Sequence, residues 1–203
     1  MQQQYRGKVV WITGASAGMG RALAREYARR GADVAVSARR LDRLEEVVNE
    51  IDASGRRGLA VACDVTRDED VARAVDEVLA RFGRLDVAIA NAGFGVVGRL
   101  EQLSDADLRR QFDTNVFGAM STARHALPAL RRTKGRLALE FMVGDAGQVS
   151  NAVVGASEVR DEALGRCVVQ AAGDQIQQRR VFGNPGVDGG VAKAPPPWSG
   201  LQA

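Results

Sequence analysis

The chain has few of the residues that usually mark chemistry or a compartment. Two cysteines and one histidine occur in 203 residues. Cys63 and Cys167 stand alone, with neither the CxxC spacing of a zinc site nor the density of a disulfide scaffold. That argues against a metal site, suits a reducing compartment and makes the cytoplasm the expected location. No stretch approaches the roughly 18 uninterrupted apolar residues of a membrane span. Met1-Gln2-Gln3-Gln4-Tyr5-Arg6 contains no apolar signal core, so a soluble chain without a membrane partner is expected. The net charge is +3, but no block of like charge and no interleaving of basic with aromatic residues suggests a nucleic-acid surface. Nucleic acid is therefore not expected as a partner. His125 falls within an amphipathic helical pattern and reads as a surface or packing residue.

A hydrophobic content of 45% in this length supports one good core and hence a single domain with a tail. The organising stretch is Thr13-Gly14-Ala15-Ser16-Ala17-Gly18-Met19-Gly20, which follows the apolar run Val9-Val10-Trp11-Ile12 and leads into a helical pattern. A strand, a glycine turn and a helix N-terminus are what a bound pyrophosphate needs. Gly14 permits the tight turn, Gly18 lets backbone N–H groups approach the phosphates, and Gly20 lets the helix pack against the sheet. The helix end then presents its partial positive charge to the anion.

Gly31, just past Arg29-Arg30, suits the C-terminal cap of that first helix. Strands are expected at 8–12, 33–37, 59–63, 86–90 and 136–139. Helices fall between them, with apolar stripes such as Leu41, Leu44, Val47, Val48 and Ile51, and a further helix spans Asp68 to Phe82. Ser104 caps a helix running through Asp107, Leu108 and Phe112, and another extends from about Gly118 to Arg132. Apolar runs alternating with amphipathic helices predict an α/β fold with a doubly wound parallel sheet covered on both faces. From Glu140 onward, Gly, Gln and Arg are scattered and the periodicity is weak, up to Ala194-Pro195-Pro196-Pro197-Trp198. An irregular tail is expected there, with one broken helical stripe between Asp161 and Gln178.

From Lys8 to Leu139 the chain resembles the short-chain dehydrogenase/reductase family of single-domain Rossmann-type enzymes. The motifs that carry the resemblance are Thr13-Gly14-x-x-x-Gly18-x-Gly20, Asp64-Val65 after the third strand, Asn91-Ala92-Gly93 after the fourth, and Asn115 within Thr114-Asn115-Val116-Phe117-Gly118. The resemblance implies hydride transfer between a nicotinamide dinucleotide and a small alcohol or carbonyl. It assigns Gly14, Ser16, Gly18, Met19 and Gly20 to the cofactor, and Asp64 with Val65 to the adenine. Asn91, Ala92 and Gly93 would form the turn beside the cofactor. Asn115 would be the catalytic asparagine that keeps a water in the proton relay. Where NAD-preferring relatives carry an acid, this chain has Ala38 followed by Arg39 and Arg40. A guanidinium offers a 2′-phosphate charge-assisted bonds that a carboxylate would refuse, so NADP is expected over NAD, with Arg39 as the contact. Arg40 is a candidate for capping the next helix.

The same resemblance requires a tyrosine with a lysine four residues later, and a serine that holds the substrate. The only tyrosines are Tyr5 and Tyr27 and the only lysines Lys8, Lys134 and Lys193, so no Tyr-x-x-x-Lys exists. Glu140 and Phe141 stand where the family has a Ser-Ser pair. Residues 1–139 thus read as an NADP-binding Rossmann-type domain and 140–203 as a divergent segment that is not a domain of its own. Two accounts are open: an inactive nucleotide-binding remnant or partner subunit, or a change of reading frame near residue 140. With GC-rich codons, such a shift converts Glu140-Phe141-Met142 to Ser-Ser-Trp and Asn184-Pro185-Gly186 to Thr-Pro-Gly. Family oligomers use the helix around 118–132 and the next one, so a homo-oligomer depends on a pattern absent from this tail.

Overall fold

The structure, a computed structural model, describes residues 4–96, 98–145 and 148–155, with Leu100 and 140–155 described by their backbone alone. Strands β1 (Val9–Thr13), β2 (Asp33–Ala38), β3 (Gly58–Ala62), β4 (Val87–Ala90), β5 (Arg136–Asp145) and β6 (Gln148–Gly155) form one sheet in the order β3-β2-β1-β4-β5-β6. The first five run parallel. Helices α1 (Gly18–Arg29), α2 (Leu41–Ala53), α3 (Asp68–Phe82), α4 (Asp105–Phe112) and α5 (Ala119–Thr133) connect them.

Strand alternation divides the core between two faces. Val10, Ile12, Val34 and Val36 pack with Leu23, Tyr27, Leu44 and Ile51 of α1 and α2. Val9, Trp11, Ala35 and Val61 pack with Val71, Val78, Ala126 and Leu130 of α3 and α5. Both faces being covered explains why the strands read as continuous apolar runs instead of alternating ones. Trp11 is fully buried, and its indole N–H donates to the Ser37 hydroxyl on the neighbouring strand at 3.1 Å, which satisfies the one polar atom of that side chain.

Several expectations hold with small shifts of boundary. The helix Asp68–Phe82 forms as read, with Gly83 as its left-handed cap. Ser104 caps α4 by accepting from the Asp107 N–H at 3.1 Å. Gly31 follows the end of α1 at φ 96°. Arg40 occupies the N-cap position of α2 without making a side-chain cap bond.

Two features differ from the sequence reading. Residues 113–118 form a π-helical turn leading into α5, so that helix begins at Ala119. The fifth strand does not stop at 139 but continues to Asp145, and the segment expected to be irregular supplies an antiparallel sixth strand, with Asp145 opposite Gln148 and Ala138 opposite Gly155. Val149, Val153 and Val154 have the β-branched character that suits a strand, while the interspersed Ser, Asn and Gly blurred the pattern. The helical stripe between Asp161 and Gln178 lies outside the described residues.

Candidate functional site

The sheet order reverses between β1 and β4, which lie side by side, and a crevice opens beyond their carboxyl ends. Thr13 ends β1 fully buried, and its hydroxyl oxygen accepts from the Asn91 and Ala92 N–H groups, both at 3.1 Å. The Asn91 side-chain amide returns the contact by donating to the Thr13 carbonyl at 2.8 Å and the Gly14 carbonyl at 3.3 Å. The Ala15 N–H donates to the Ser37 carbonyl at the end of β2. The glycine turn is therefore anchored to both neighbouring strands.

Only glycine fits in two places of this turn. Gly14 has φ +68° and a Cβ there would meet Ala92 Cα at 2.6 Å; a Cβ on Gly20 would meet the Asn91 amide nitrogen at 2.6 Å and the Gly14 carbonyl at 2.7 Å. Gly20 thus serves contact with the turn itself more than with the sheet. The first turn of α1 holds no acidic residue, so no carboxylate there repels an anion.

A cleft of ≈ 600 Å³ opens at this edge. Of the sequence-derived residues, Gly14, Ser16, Arg39, Asp64, Val65, Ala92 and Gly93 line it. Gly18, Met19 and Gly20 form the first turn of α1, and Asn91 lies behind the wall as its brace. Arg39 and Arg40 are exposed in the cleft, with no ion-pair partner among the described residues. One Asp64 oxygen accepts from the Thr66 N–H at 3.0 Å and the Thr66 hydroxyl at 2.8 Å.

Asn115 is buried and does not line the cleft. Its carbonyl oxygen accepts from the Phe94 N–H at 3.0 Å and its amide donates to the Phe94 carbonyl at 2.8 Å. It thereby fixes the chain that leaves β4. Gly118 of the same π-helical turn approaches Val65 so closely that a Cβ would lie 2.7 Å from Val65 Cγ2.

The structure adds residues that the motifs did not single out. Thr13 was read only as part of a glycine string. Phe94, Arg110, Thr66 and Cys63 also line the cleft, as does Thr114 beside Asn115, with the Arg110 guanidinium 5.2 Å from the Phe94 ring centre. Burial, with the Asp70 charge nearby, pushes the Cys63 thiol up to about 12, so it is a neutral packing group and not a nucleophile. His125 lies beside Asp68, at 3.0 Å, where Ser121 and Arg124 also donate, joining α5 to α3. These donors, the Ser121 hydroxyl foremost, hold the Asp68 carboxyl well below its usual range. Among the described residues no helix is long and apolar enough to cross a membrane.

Residues 8–157 match the family model described as short chain dehydrogenase. The chain belongs to that family. The match continues past Leu139, where the motif resemblance ended, and takes in β6. The chain is 44% identical over 133 residues to the 11-beta-hydroxysteroid dehydrogenase 1A of Arabidopsis thaliana, an alignment covering 64% of this chain and 38% of that relative. A short chain dehydrogenase from Burkholderia cenocepacia in complex with NADP superposes with a TM-score of 0.60 at 35% identity, over 62% of this chain and 52% of the other. An NAD+-bound xylitol dehydrogenase superposes with a TM-score of 0.64 at 29% identity, over 66% and 52%. The chain thus spans about two fifths of the length of that curated relative and about half of each structural neighbour.

Proposed function

We propose that this chain binds NADP(H), in preference to NAD(H), in the cleft beyond β1, β2 and β4, and descends from oxidoreductases acting on alcohols or carbonyls. The observation that carries the reading is the end of β2. Ala38 stands where an acid would repel a 2′-phosphate, and Arg39 and Arg40 lie exposed in the same cleft. The strand, glycine turn and helix N-terminus suit such a ligand's pyrophosphate, and Gly14 and Gly20 keep that turn closed against Ala92 and Asn91. Gly14, Ser16, Gly18, Met19 and Gly20 would hold the pyrophosphate, Asp64 and Val65 the adenine, and Ala92 and Gly93 the inner half, with Asn91 bracing the turn.

Bound there, the dinucleotide would supply hydride acceptance or donation. The chain's own part is to bind and orient it. Asn115 fixes the loop beside it, and with no Tyr-x-x-x-Lys in the chain the substrate proton passes to water instead of a tuned phenol. Turnover should then be at least about a hundredfold below that of an intact family member. The second reading, an inactive nucleotide-binding remnant or partner subunit, is favoured by the same missing pair. Residues 1–139 make up the nucleotide-binding unit on either reading. A reducing compartment such as the cytoplasm suits the buried free Cys63. The exposed Phe112, Phe117 and Met120 are the surface a second copy would cover.

Titration of the purified protein with NADP and NAD tests the cofactor reading, and Arg39→Asp should invert the preference. Equal affinities unchanged by the substitution would refute it. A screen of ring-borne alcohols and ketones, chosen because the plant relative is named for a hydroxysteroid, run beside an intact family member, separates a slow enzyme from a remnant. Sequencing the coding DNA around codon 140 decides whether the frame changes there.

A further inference from the structure

We propose that Gln111 is a positioning residue for the dinucleotide, an inference that rests on the cofactor reading above. Among the described residues the chain leaving β4 has no partner strand on the cleft side, yet it alternates like one: Gly93 and Gly95 are exposed, Phe94 and Val96 half-buried. Two amide side chains four residues apart hold its inner edge. Asn115 pairs with both backbone groups of Phe94, and the Gln111 side-chain oxygen accepts from the Val96 N–H at 2.7 Å. In extended backbone the N–H groups of alternate residues point the same way. Fixing Phe94 and Val96 therefore leaves the intervening Gly95 peptide groups turned to the opposite side.

Helix α4 has no fully buried residue, and Gln111, near its C-terminal end, ties it to this segment. Its longer side chain reaches two residues beyond the Asn115 contact, and the neighbouring Arg110 covers the Phe94 ring. Without the bond, the Val96 N–H loses its acceptor, and the side-chain bonds to the segment that remain among the described residues are those at Phe94. The wall formed by Gly93 and Phe94 would then no longer be fixed in advance of binding.

The test is calorimetric titration of NADP into the full chain as wild type, Gln111→Leu and Gln111→Glu, with hydrogen exchange of the Val96 amide followed by NMR. Gln111→Leu should bind about tenfold more weakly and exchange Val96 faster, the scale expected when one half-buried donor loses its acceptor. Gln111→Glu keeps the acceptor and should bind within about threefold of wild type at physiological salt, with Val96 still protected. Faster exchange in Gln111→Leu with wild-type affinity would overturn the proposal, since the bond would then serve the loop alone. Equal weakness of the Leu and Glu variants would overturn it as well. A wild-type chain that binds no NADP would instead refute the cofactor reading, and this role with it.

Discussion

Thr13→Val isolates the clamp between the glycine turn and the chain leaving β4. The substitution preserves shape and branching but removes the oxygen that accepts from both the Asn91 and Ala92 N–H groups at 3.1 Å. Thr13 is 1% exposed, so water does not easily take its place. The Asn91 N–H keeps the Ile89 carbonyl at 3.1 Å, but the half-buried Ala92 N–H left without an acceptor costs about 1–3 kcal/mol, and the added buried methyl returns about 0.8 kcal/mol. A net loss of up to about 2 kcal/mol follows. With a urea slope of about 2 kcal/mol/M, the unfolding midpoint should fall by up to about 1 M. Far-UV circular dichroism in urea measures this, with Thr13→Ser, which keeps the acceptor, as the reference. Because Ala92 lines the cleft, NADP affinity should fall in the Val variant and hold in the Ser variant. If the two variants unfold at the same urea concentration, the clamp does not contribute as argued.

Two further outcomes test the frame beneath the site. Burial would raise the Asp86 carboxyl, but Arg84, the Val9 N–H and Lys8 outweigh it and hold the group below its usual range. Such a group stabilises the fold above the unfolded value of 3.8 and loses that contribution as pH falls through the lower folded value. Asp86→Asn should therefore cost about 1–3 kcal/mol at neutral pH and show a shallower loss of stability below about pH 4, both read from urea unfolding across pH. Lys134 is the one non-glycine at positive φ among the described residues, 52° at the end of α5; Lys134→Gly should raise stability by about 0.5–1 kcal/mol, measured by thermal unfolding, because only glycine adopts that cap without strain.

Much of the fold was legible because it rests on local rules. Apolar runs of strand length, stripes at helical spacing, Ser104 at an N-cap and Gly31 past a helix end all specify conformation within a few residues. The glycine turn was legible for the same reason: its spacing reports a backbone requirement, and the collisions at Gly14 and Gly20 are that requirement in three dimensions. The sixth strand was not legible. Its pairing with β5 depends on what lies opposite each residue, and Val149, Val153 and Val154 among Ser, Asn and Gly show no clean alternation.

The sequence by itself determined the α/β architecture, the position of the nucleotide-type turn and the arginines at the end of β2, because each follows from neighbours along the chain. Tertiary structure decided which side chains act across it. Asn115 belongs to a motif that assigns it a place in a proton relay, but it is buried against Phe94, and Gln111 carries no motif yet bonds Val96 from 15 positions away. Thr13 holds residues 78 and 79 positions further on. A hydrogen bond is specified by distance and direction between two groups, and only the folding of β1 against β4 and of α4 beside the departing chain brings those groups within reach.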